Sequence, residues 1–246
     1  MLFRSYRLRR DNWTDTPLPR EFPAGANPPD GAIIDYYLAD PSGVVTLEIL
    51  HGAAVVRRFA SSDAVDPIDE KSVNVPISWA RPPQILPAAK GMHRFVWDLR
   101  YPPPGAVTRD FPIAAVPGDT PMEPLGVLAI PGAYVVKLTA GGKTYTQPLT
   151  LKMDPRAAIT PLGLAQQFTL GSKIAALMNR TFAAIARASS TSAQAPTLQA
   201  DLIALNNDLA TAYDVVEGAD RAPTTQASKA VAHLEQRASA LLKGQP

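Results

Sequence analysis

The placement of proline constrains this chain more than any other feature. The sequence holds 25 prolines, and all but Pro196, Pro223 and Pro246 lie at or before Pro161. Proline donates no backbone hydrogen bond and keeps the residue before it out of the helical region, so a stretch dense in it is confined to loops, turns and sheet edges. Everything before Pro161 therefore reads as an all-β region, with helices expected only beyond it. The clearest strand runs from Gly91 to Tyr101 and is stopped by Pro102, Pro103 and Pro104. Its large apolar residues Phe95, Trp97 and Leu99 alternate with Arg94, Asp98 and Arg100, and only Val96 breaks the period of a strand that buries one face. This predicts a central, half-wet strand.

The other strands follow from β-branched and aromatic runs between turn residues. Ala32 to Leu38 and Val44 to Leu50, separated by Pro41-Ser42-Gly43, should pair or neighbour each other. His51-Gly52-Ala53 turns the chain into Val55 to Phe59, and Gly141-Gly142 joins Gly132–Thr139 to Lys143–Lys152, which makes two hairpins. With the strand at Gly91 these give about seven strands, an antiparallel β-sandwich over residues 25–154. Residues 1–24 read as an extended N-terminal arm. Its Arg4, Arg7, Arg9 and Arg10 fit either a polyanion contact or a solvated edge strand. The proline-rich excursion from Tyr101 to Pro131 is long for a loop inside a domain, so it should be functional or pack on another surface.

At Met153-Asp154-Pro155 the pattern changes to helical spacing, and residues 155–246 read as three helices. Thr160-Pro161 is an N-cap with proline at the first helical position. Leu164, Phe168, Ile174, Met178, Phe182 and Ile185 form the first apolar stripe. Leu198, Leu202, Leu205, Leu209, Tyr213 and Val216 form the second, and Ala227, Val231, Leu234, Ala238 and Leu241 the third. One apolar face per helix is the pattern of a small antiparallel bundle.

A net charge of +2 creates no demand for nucleic acid or an anionic membrane. The absence of cysteine excludes disulfides, thiolate nucleophiles and cysteine-based metal sites. The opening Met-Leu-Phe-Arg-Ser-Tyr-Arg-Leu-Arg-Arg has no apolar run behind its basic residues and reads as neither signal peptide nor membrane anchor, so the chain as read would stay in the cytoplasm.

No phosphate loop, nucleophile elbow, dinucleotide fingerprint or paired-histidine zinc motif occurs, and no cofactor is implied. Of His51, His93 and His233, only His93 lies on the Gly91 strand. It is five residues from Asp98, so on a regular strand the two face opposite ways and cannot pair directly. His93 and Asp98 are the catalytic candidates of a hydrolase reading; against it stand a structural histidine and a turn-capping aspartate. Asp63, Asp66, Asp69 and Glu70 are the one dense carboxylate group, with oxygens suited to calcium, although their spacing matches no EF-hand loop. Trp79, Trp97, Tyr36, Tyr37 and Tyr101 could stack against sugar rings or fill the core. Adjacent Tyr36 and Tyr37 point to opposite faces, so one of them should be exposed.

Two groups of residues carry a resemblance. Val45-Thr-Leu-Glu-Ile-Leu50, Val55-Val-Arg-Arg-Phe59, Gly91 to Arg100 and Pro131-Gly-Ala-Tyr-Val-Val-Lys-Leu138 are similar to the Ig-like domain of flagellar hook-capping proteins. More closely, Asn27 to Leu38, Gly91 to Pro104 and Tyr145 to Arg156 resemble the C-terminal region of bacterial BNR-repeat, sortilin-like proteins often labelled glycosyl hydrolases. The resemblance runs from about Leu2 into the first helix and implies an Ig-like antiparallel β-sandwich followed by a C-terminal three-helix segment. In that family a β-propeller precedes this region and the parent proteins look extracytoplasmic. No Ser-x-Asp-x-Gly-x-Thr-Trp box occurs here, so the propeller is absent and the glycosidase label does not carry over. The chain thus reads as a detached, non-catalytic accessory module whose partner is a β-propeller or another protein surface. It is set against a small hydrolase of glycosides, esters or lactones and against a carbohydrate-binding module.

Overall fold

The computed structural model describes residues 3–9, 16–19, 21–23, 25, 28–40, 43–65, 68–71, 73–112, 116–188 and 195–243. The chain is mainly β with α, and its three helices are C-terminal. The strands are β1 (Phe3–Arg7), β2 (Ala32–Leu38), β3 (Thr46–His51), β4 (Ala54–Ala60), β5 (Gly91–Trp97), β6 (Gly132–Ala140) and β7 (Lys143–Met153). They form a mixed five-stranded sheet in the order β1-β7-β6-β3-β4 and a small second sheet of β2 and β5. Both hairpins form where the turn residues place them. At Gly141 (φ 55°) and Gly142 (φ 73°) two successive left-handed residues make the tight turn whose twist matches its flanking strands.

Three expectations about pairing change. β5 is a one-neighbour strand of the small sheet, joined to β2 alone among the described strands. Its alternation is nevertheless as read, with Phe95 and Trp97 no more than 1% exposed. Alternation records that one face is covered, and a facing sheet covers a face as well as a flanking strand would. β2 and β3 do not pair; Tyr36 and Leu38 of β2 meet Val45 and Leu47 beside β5's Phe95 in one core cluster. The large sheet is mixed and not wholly antiparallel, because β1 runs parallel to β7 from Phe3↔Leu149 to Arg7↔Met153. These two strands lie at opposite ends of the β region, so no short turn dictates their relative direction.

Contacts divide the chain into two compact units that interleave in sequence. The first holds residues 1–101, 111–122 and 129–156. Its aromatic centre is built by Phe59 edge-on to Phe95, with ring centres 4.7 Å apart, and by Trp97 and Tyr134 at 5.6 Å. Arg7, 2% exposed, donates from Nε to the Ala129 carbonyl at 3.0 Å, so β1 is tied into this unit by a side chain as well as by its ladder.

The second unit holds residues 102–110, 123–128 and 157–246. Its helices are α1 (Pro161–Ala188), α2 (Ala195–Glu217) and α3 (Thr225–Leu241). The Thr160 hydroxyl accepts from the Gly163 N–H at 3.1 Å and caps α1 as read. The apolar stripes of α2 and α3 are buried at Leu202, Leu205, Leu209, Val231 and Ala238. Of the α1 stripe, Leu164, Ile174 and Met178 are buried as read and Phe182 is 45% exposed, while Gly163, Gln167, Gly171 and Thr181 are buried as well. Small residues let α2 approach closely, since a Cβ on Gly171 would stand 2.6 Å from Glu217 Oε1. Asn206, fully buried on α2, accepts from the Val107 N–H at 2.9 Å and donates to Gly105 O, Met178 O and Thr181 Oγ1. This one amide explains why part of the proline-rich excursion belongs with the helices: its backbone groups are satisfied there.

Candidate functional site

A groove of about 590 Å³ runs along β2, opposite β6 and β7. Its floor follows from strand periodicity. Tyr134, Leu149 and Leu151 point into the core, so Val136, Leu138 and Ala140 of β6 and Lys143, Tyr145 and Gln147 of β7 share that inner face. Val136, Leu138 and Ala140 are only half-buried, and Tyr145 is 56% exposed. Leu47, fully buried on β3, closes the bottom. The other wall is β2, whose residues Ile33 through Asp40 all border the groove.

The electrostatics are quiet. Arg94 grips Asp35 with two hydrogen bonds, Nε to Oδ1 at 2.8 Å and Nη2 to Oδ2 at 3.0 Å, and holds its carboxyl below the usual range. Tyr36 donates its hydroxyl to the Pro87 carbonyl, and burial pushes its pKa up to about 12. Both groups are thus fixed in one charge state at neutral pH. Lys143 is the one charged lining residue with no hydrogen bond or ion pair among the described residues.

Of the residues singled out by sequence, His93 meets Tyr36, whereas His93 and Asp98 each bond to other groups. His93 is half-buried, tilted against the Tyr36 ring at 5.3 Å, with its Nε2–H directed to the Ala89 carbonyl at 2.6 Å. Asp98 Oδ1 accepts from the Arg100 N–H at 3.1 Å, closing a turn around Leu99, the only described non-glycine residue with positive φ (60°). Asp98 also offsets the burial of Arg57, whose guanidinium is pulled below its ordinary pKa by desolvation and lies 5.1 Å from the centre of the Phe59 ring. His51 stacks on Tyr134 at 4.8 Å, and His233 is exposed on α3.

In the acidic loop, Asp63 accepts from the Ala60 N–H at 2.6 Å and faces Arg58 at 3.4 Å, while Asp69 accepts from the Lys71 N–H at 3.0 Å. Glu70 is exposed, and Asp66 lies outside the described residues. Among the described residues no three His, Asp or Glu side chains gather as a cation would require. Of the arginines in the arm, Arg7 is committed to Ala129, the Arg4 side chain is not described, and Arg10 lies outside the described residues.

The five candidate aromatics separate by burial. Trp97 and Tyr36 are core, and Trp79 packs on the Val75, Ala80 and Phe111 cluster. Tyr101 is half-buried, and desolvation raises its pKa. Only Tyr37 is open, at 62%. Tyr145, which also borders the groove, was left out of the site by sequence reasoning; its place on an alternating strand was visible, but not that its face is uncovered. Compared with family models, curated proteins and solved structures, the chain matches none. No helix among the described residues is long and apolar enough to cross a membrane.

Proposed function

We propose that the chain is a non-catalytic interaction module, an accessory part of a BNR-repeat, glycosyl-hydrolase-like protein that docks on another protein surface such as a β-propeller. The observation that carries this reading is the groove itself: Leu47, Val136 and Leu138 along its floor, Asp35 held by Arg94, and no nucleophile beside a base among its described residues. The residues a hydrolase would use support it from the other side, because His93 and Asp98 each have a backbone partner of their own. A second reading is favoured by Tyr37 and Tyr145, two exposed aromatic residues that border the groove, since open aromatic faces also suit a carbohydrate.

A panel of chromogenic glycosides, esters and lactones, with calcium and with a chelator, tests the first reading. No turnover is expected. Turnover that disappears in a folded His93→Ala or Asp98→Asn variant would establish a small hydrolase instead. Glycan binding that is lost in both Tyr37→Ala and Tyr145→Ala would favour the carbohydrate reading.

A further inference from the structure

We propose that the groove is a strand-acceptor site: one extended segment of a partner polypeptide adds to the edge of β2 that has no strand partner among the described residues, and extends the small sheet. The inference rests on the interaction-module reading and names what that module binds.

The first argument is a mismatch of widths. A five-stranded sheet faces a sheet of two strands. Strands lie about 4.8 Å apart whichever sheet they belong to, so two cannot cover five. On β7 the inner-face residues Lys143, Tyr145 and Gln147 are exposed, and on β6 Val136 and Leu138 are only partly covered. The uncovered strip adjoins β2, where a third strand of the small sheet would lie.

The second argument is the shape of the lining. Ile33 through Asp40 are consecutive residues of both parities. A groove against one face of a strand would touch every second residue, whereas a groove along its edge touches them all and exposes the alternate N–H and C=O groups that β5 does not use. The edge also lacks the devices that discourage pairing. β2 contains no proline and no lysine, and its single charge, Asp35, is neutralised by Arg94.

The third argument selects the occupant. A strand advances about 3.3 Å per residue, and the groove follows the chain from Ile33 to Asp40, long enough for an extended segment of several residues. A second copy of this chain brings β5 along with β2 and offers the same edge; self-association there would appear as dimerisation that slows exchange at Ile33 to Leu38 without peptide, and would overturn the single-segment occupant. A single extended segment fits, and it supplies both backbone partners for β2 and apolar side chains for Leu47, Val136 and Leu138. Charge sets its ends: the lining is neutral along the floor, and Lys143 is uncommitted, so the segment carries an acidic residue at the Lys143 end and apolar residues at alternate positions.

The test uses the whole chain and synthetic seven-residue peptides alternating valine and threonine, with glutamate at either the first or the last position. An N-methylated version of each blocks the outward backbone amides. One orientation should bind, slow hydrogen exchange at Ile33 to Leu38, and lose about tenfold or more in affinity on N-methylation. Leu138→Trp, which fills the floor, should abolish binding. Lys143→Glu should weaken the glutamate-ended peptide and favour a lysine-ended one, so the proposal stays testable if Leu138→Trp misfolds. Equal binding of the N-methylated peptide, or binding without protection of β2, would make the groove an apolar pocket and overturn strand addition. No binding by either orientation at millimolar concentration would overturn it too. Neither result touches the accessory-module reading, which falls only to enzymatic turnover.

Discussion

The inner face of the five-stranded sheet consists of two surfaces side by side. Opposite β5, Leu47 and Ile49 are fully buried and the aromatic side chains of Phe59, Phe95, Trp97 and Tyr134 interlock. A few residues along the same sheet, Leu138 and Val136 are half-exposed and Tyr145 stands open. Both surfaces belong to strands of one periodicity and similar composition, and differ only in whether a second sheet lies over them. The closed half is where stability resides, and the open half is where apolar surface remains to be spent on a partner.

The largest separation between the halves should come from truncating an aromatic in each. Trp97→Ala removes the side chain at the centre of the closed half and should cost about 3–5 kcal/mol, whereas Tyr145→Ala should change stability by no more than about 0.5 kcal/mol. Urea unfolding of both variants checks the pair, and equal losses would mean that the groove is part of the core. Enlargement sharpens the contrast in the other direction. Ile49→Trp forces volume into a filled site and should cost about 1–3 kcal/mol or more, while Leu138→Trp has the groove to enter and should leave the thermal midpoint nearly unchanged.

The turn that closes β5 should show a smaller effect. Asp98→Ala strips the Arg100 N–H of its acceptor beside the strained Leu99 and should cost about 1 kcal/mol, a loss read in the unfolding midpoint.

Two titrations border the groove and move oppositely. Burial favours the neutral Tyr36 hydroxyl, so the folded chain holds that proton more tightly than the unfolded one does. Its contribution is complete below the ordinary tyrosine pKa near 10 and is lost as pH rises toward about 12. Tyr36→Phe should flatten part of the alkaline fall in stability. Asp35, held low by Arg94, contributes above the ordinary carboxylate pKa and loses that contribution as pH falls through its depressed value. This pair is solvent-exposed, so Asp35→Asn should produce the smallest change of the series, a slight flattening of the acid limb.

Much of the local structure was legible in the chain. β2 begins and ends at the residues its β-branched run marks, both hairpins turn at their glycines, and Thr160 caps α1. The side-chain period of a strand is a local property, so Phe95 and Trp97 could be assigned to a buried face without knowing what covers it. The site was much less legible. Tyr37 was separable from Tyr36 by alternation alone, yet nothing in the run Lys143-Thr-Tyr-Thr-Gln147 distinguishes an inner face that is covered from one that is not.

What the amino-acid order determined by itself is therefore the set of elements, their ends and their apolar faces, because propensity, proline geometry and periodicity act over a few residues. Only the tertiary structure decided that β2 pairs with β5, that β1 returns parallel to β7, that Phe182 of α1 stays 45% exposed, and that a sheet of five strands is accompanied by a sheet of two. Strand partnership depends on which long loops close and which surfaces meet, free energies that belong to pairs of segments far apart in the chain and leave no mark on either segment alone.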